Sequence, residues 1–182
     1  MSDKTIVRFC SPTLAGLKVA SLFTYKFNNK SQLCRDIRRT NNRLRIKGIK
    51  FQILNIFNSL AIIYVYRIDK LKAILEKNDI RNFLASYGYI TFDIVSVLKN
   101  LSFRMRKNNN FPHEIGIFLG YPLKDTIDFI ENNGKNYLCS GYWKVYNNET
   151  EALKTFSRYR KCTEIYCKKH AQGTCMEKLA IS

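Results

Sequence analysis

Residues 111–122, Phe-Pro-His-Glu-Ile-Gly-Ile-Phe-Leu-Gly-Tyr-Pro, constrain this chain more than any other stretch. They hold two of its three prolines and one of its two histidines. Ile115, Ile117 and Leu119 alternate with Gly116, Phe118 and Gly120, which is the period of a strand, and the prolines bound it. Glycine weakens a strand interior unless another backbone or a ligand must come close. His113 stands at the mouth of the expected strand, where a site is to be sought.

A second strand reads as central. Leu60–Tyr66 is apolar on both faces, as in a strand covered on both sides, and Asn58-Ser59 joins it to a partner over 50–57. Helices are expected over 12–23, with Ser11 as N-cap and Pro12 in the first turn, over 31–46, and over 69–77, 80–87 and 92–107. The last of these ends in the polar stretch Arg104–Asn110. A further helix runs to about Asn132 from a cap at Asp125. A strand is expected over 137–146, and a long final helix from 149 to 170 stops at Gly173. The expected fold is α+β: one domain over 1–182, with a mixed sheet of four or five strands. Its central strands are 60–67 and 114–120, and its helices, the N-terminal one included, pack on it.

Four groups of residues carry candidate chemistry. Cys10, just before the expected helix, would have its thiol pKa lowered by the helix dipole, and His113 would serve it as base. The chain order and the apolar strand ending in Gly-Tyr resemble papain-like hydrolases, which implies a papain-like outline and thiol-dependent acyl transfer or hydrolysis. The third, orienting member is left open among Asp125, Asp128, Asn132 and Asn133. Arg35, Arg38, Arg39 and Arg43 line one face of the second helix, and arginine forks suit phosphate oxygens. Trp143 and Lys144 sit in an aromatic strand that can wall a pocket. Cys162, Cys167, His170 and Cys175 lie within fourteen residues, but their spacing fits no common zinc pattern. They read as packing residues, so neither a metal nor a cofactor is assigned.

Charge bears on partners. The chain holds 31 basic and 14 acidic residues, a formal +17. Twelve basic residues against two acidic fall in the first fifty positions. That excess favours an anionic partner, nucleic acid or a phosphorylated ligand, through the basic segment 35–50. The apolar content rules out a disordered chain. No apolar run is long enough for a secretory leader or a membrane span, so a cytoplasmic protein with reduced thiols is expected.

Four phrases in order, Cys10–Lys18, Phe111–Pro122, Gly141–Tyr146 and Lys161–Thr163, resemble a family of bacterial proteins, mostly from anaerobes. It is classified as domain-of-unknown-function family 3793. The resemblance spans nearly the whole chain and implies a single-domain cytoplasmic protein. It brings with it no reaction, cofactor or catalytic residue.

Overall fold

The computed structural model describes residues 1–107 and 111–182. Asn108–Asn110, the end of the polar stretch after Arg104, lie outside the described residues. The elements in order are α1 (Asp3–Leu14), β1 (Ala20–Lys26), α2 (Lys30–Leu44), β2 (Ile49–Phe57), β3 (Leu60–Arg67), α3 (Ile68–Leu75), α4 (Asn78–Ser86) and α5 (Ile94–Lys107). There follow α6 (Ile115–Phe118), α7 (Leu123–Glu131), β4 (Cys139–Ser140), β5 (Lys144–Val145), α8 (Glu149–Ala171) and α9 (Met176–Leu179).

The β2–β3 hairpin forms where expected. Asn58 and Ser59 take φ of 43° and 61°, successive left-handed residues whose turn twist matches that of the strands. β3 lies between β1 and β2, and both pairings are antiparallel. Side chains alternate across β3. Ala61, Ile63 and Val65 join Phe23, Phe51 and the apolar stripes of α1 and α2 on one face. Tyr64 and Tyr66 join α3, α4, α5 and residues 115–119 on the other. The central strand is thus covered on both sides, as its composition demanded.

The α+β class holds, but the sheet does not have four or five strands. Three antiparallel strands form one sheet, and β4–β5 is a separate two-stranded ribbon.

Three segments depart from expectation. The first helix runs from Asp3, capped by Ser2, and ends at Leu14 rather than starting at Pro12. Gly16, at φ +67°, stops it, which frees 20–26 to extend along β3. Arg67 then reaches across from the end of β3. Its Nε donates to the Thr13 carbonyl, and one Nη donates to Leu14 and Ile181, all at 2.8 Å. A guanidinium at a helix C-terminus satisfies orphan carbonyls and the dipole together.

The 114–120 strand is instead the single helical turn α6, and Ile115 to Leu119 are all buried. The glycines do mark close approach, but by side chains. A Cβ on Gly116 would lie 2.8 Å from Thr126 Oγ1, and one on Gly120 2.6 Å from Val19 Cγ2. The 137–146 strand breaks into the β4–β5 ribbon. Gly141 at its turn is pressed so close to Phe156 that a Cβ would meet that ring at 2.3 Å.

Candidate functional site

The site begins with a buried acid. Asp125, in the first turn of α7, is 2% exposed. Its Oδ2 accepts the Trp143 indole N–H at 2.8 Å. Its Oδ1 accepts the backbone N–H of Tyr146 and Asn147 and the Asn147 amide at 3.1, 2.9 and 3.0 Å. Both oxygens are therefore engaged, and burial is compensated by donors rather than by a counter-charge. This carboxylate ties the ribbon and the lead into α8 onto α7.

Held in this way, Trp143 stacks on Tyr121 with centroids 5.1 Å apart and meets Phe156 edge-on at 4.5 Å. Between this pair and α7 lies a cavity of about 190 Å³, lined in part by His113, Tyr121, Asp125, Phe129, Trp143 and Lys144. The exposed His113 ring stands edge-on to Phe129 at 5.1 Å. Its neighbour Glu114 anchors it: that carboxylate is 1% exposed and pairs with Arg104 Nε at 2.5 Å, and it accepts the Tyr89 hydroxyl at 3.2 Å. Lys144 donates to the Gly134 carbonyl at 2.7 Å and lies over the rings of Tyr137 and Phe129 at 4.8 and 5.8 Å. It has no carboxylate partner among the described residues.

His113, Trp143 and Lys144 are thus brought to one cavity. Cys10 is not. It sits within α1 rather than before a helix N-terminus, wholly buried in the cluster on the opposite face of the sheet. Burial pushes its thiol pKa far upward. So deeply buried a thiol packs as a small apolar side chain; the amine that acts on it is Lys18, and the sheet separates the thiol from the layer that carries His113.

The arginines of α2 divide. Arg35 donates to Gln32 Oε1 at 2.8 Å on its own helix, and Arg38 and Arg39 are exposed. Arg43 is committed inward. Its two terminal nitrogens grip the Asp3 carboxylate at 2.8 and 2.5 Å, and its Nε pairs with Glu177. It is a clasp between α1, α2 and α9, not a free phosphate fork.

At the C-terminus, no group of three or more metal-ligating side chains forms among the described residues. Cys162 is buried, and His170 Nδ1 donates to the Thr174 carbonyl at 3.0 Å.

Sequence reasoning missed Tyr121, Phe129 and the anchoring role of Asp125. It also missed Lys18, which is 7% exposed behind the Tyr121 wall. Its Nζ lies 5.4 Å from the ring centroids of both Tyr121 and Tyr142, and burial pulls its pKa down to about 8. A lone charge within the apolar run 14–20 was the available signal.

The architecture is an α+β protein whose antiparallel sheet lies between helical layers, with a ring-walled cavity beside the ribbon. The chain belongs to the family described as protein of unknown function (DUF3793), whose profile matches residues 6–180. No curated protein and no solved structure matches it. Among the described residues, no helix is long and apolar enough to cross a membrane.

Proposed function

We propose that the protein is a binding module for a small, flat, anionic ligand held in the cavity beside Trp143. The observation that carries this reading is the pairing of ring walls with an ammonium, Lys144, that has no carboxylate partner among the described residues. A planar ligand would lie against Tyr121, Trp143 and Phe129, gaining stacking and desolvation. Its acidic group would meet Lys144, with His113 at the rim. At about 190 Å³ the space is smaller than the roughly 300–1,000 Å³ that takes drug-sized molecules, so it suits a single ring. The formal +17 of the chain raises the local concentration of anions around it.

Trp143 is the chain's only tryptophan, so its fluorescence reports on the cavity directly. Titration with benzoate should give a saturable change, with a Kd on the order of millimolar for so small a ligand. Lys144→Met should weaken benzoate at least about fivefold, as expected for loss of a charge-assisted contact, and leave neutral benzyl alcohol unchanged. Inorganic phosphate, which lacks a ring, should not saturate the signal. A flat benzoate titration, or one indifferent to Lys144→Met, overturns the reading.

A further inference from the structure

Helix α8 packs along α1, and Ala152, Phe156, Tyr159, Thr163, Tyr166 and His170 form its buried or half-buried side. Ala152 and Phe156 pack on the ribbon, and Tyr159 donates its hydroxyl to the carbonyl of Leu17, just past the end of α1, at 3.3 Å. The opposite side faces solvent. There, Lys154, Arg158, Lys161, Lys168 and Lys169 fall within an arc of about 100°, and all five are exposed. From first to last they run about 22 Å along a 23-residue helix, a straight cationic rail. Glu151 is the one acid in that arc, and Lys154 takes it up at 2.7 Å. Arg158, Lys161, Lys168 and Lys169 form no ion pair among the described residues.

We propose that the outer face of α8 is a docking surface for duplex nucleic acid, gripped through its phosphates without regard to sequence. A duplex carries phosphates densely along its length, and about 22 Å of rail spans about six base pairs. A bilayer fits less well. A membrane-surface helix needs a broad apolar face to insert, and the outer face of α8 offers only Ile165 in its cationic arc, while the inner side is packed against the rest of the fold. Single strands fit less well too, because no aromatic ring stands on the rail for bases to stack on. This surface is independent of the cavity reading and uses a different probe.

The test is fluorescence anisotropy of a fluorescein-labelled 20-base-pair DNA duplex with the full chain, between about 50 and 200 mM KCl. Wild type should bind with a log–log salt slope of about −4 or steeper, since each neutralised phosphate contributes about −0.9. Arg158→Glu/Lys161→Glu/Lys168→Glu should weaken binding at least about tenfold at the lower salt and flatten the slope by about 3. Reversal of Lys72, Lys77 and Lys99, which are exposed elsewhere, changes net charge equally and should cost less than about threefold. If the first triple variant fails to fold, the corresponding glutamine variant should show the same order. Equal weakening by both sets, no duplex binding by wild type, or tighter binding to phosphatidylserine vesicles than to the duplex overturns the proposal.

Discussion

Lys18 carries a charge to a place that water barely reaches. Burial lowers its pKa to about 8 from an ordinary 10.5, and the faces of Tyr121 and Tyr142 offset part of the cost of keeping it protonated. Because the folded value lies below the unfolded one, the native state releases its proton first as pH rises. Between pH 8 and 10.5 the unfolded chain binds more protons, so this residue makes stability increase with pH across that window, by at most about 3 kcal/mol. Below pH 8 the penalty is present in full. In urea unfolding between pH 7 and 9.5 the advantage of Lys18→Met over wild type should shrink as pH rises, a comparison that cancels the opposing ionisation of buried thiols such as Cys10, whose pKa burial raises. Parallel curves for the two proteins would show that the ammonium is not buried in this way.

At the level of elements, Arg43 joins three helices through two carboxylates, both half-buried. Its neighbourhood holds Asp3 and Glu177 below the usual carboxylate range. Their contribution is therefore present above about pH 4 and fades as the pH falls further. Solvent reaches all three side chains, so Arg43→Met should cost only about 1 kcal/mol near neutral pH, and the variant should lose part of the acid limb of the stability curve. Unfolding midpoints between pH 3 and 7 measure both. Elements fixed by their own pattern were legible in the sequence: the β2–β3 hairpin with its Asn58-Ser59 turn, and helices α2, α5 and α8. Elements fixed by neighbours were not. The alternation at 115–120 has the period of a strand, yet Thr126 and Val19 lie close against Gly116 and Gly120 and the segment coils. The aromatic stretch 139–145 bends because Asp125, some twenty residues earlier, claims Trp143 and the backbone beyond it. The site was legible as residue types, with His113, Trp143 and Lys144 singled out. The partnership of Cys10 with His113 was not formed, because the end of α1 was misplaced and with it the face of the sheet on which the thiol lies.

For the molecule as a whole, 31 basic residues against 14 acidic leave most surface cations without a counter-charge, and self-repulsion opposes the compact state. Raising NaCl from about 20 to 200 mM should screen this and increase Tm by a few degrees, equivalent to about 1 kcal/mol for a chain of this size. A Tm that falls with salt would mean that attractive pairs outweigh the repulsion. The ring-lined cavity and the cationic rail stand apart on the surface but share a mooring. Asp125 holds the indole with one oxygen and, with the other, the two residues that lead into α8. One carboxylate is therefore the shared peg of the indole wall and of the root of the long helix, so its loss would slacken both at once.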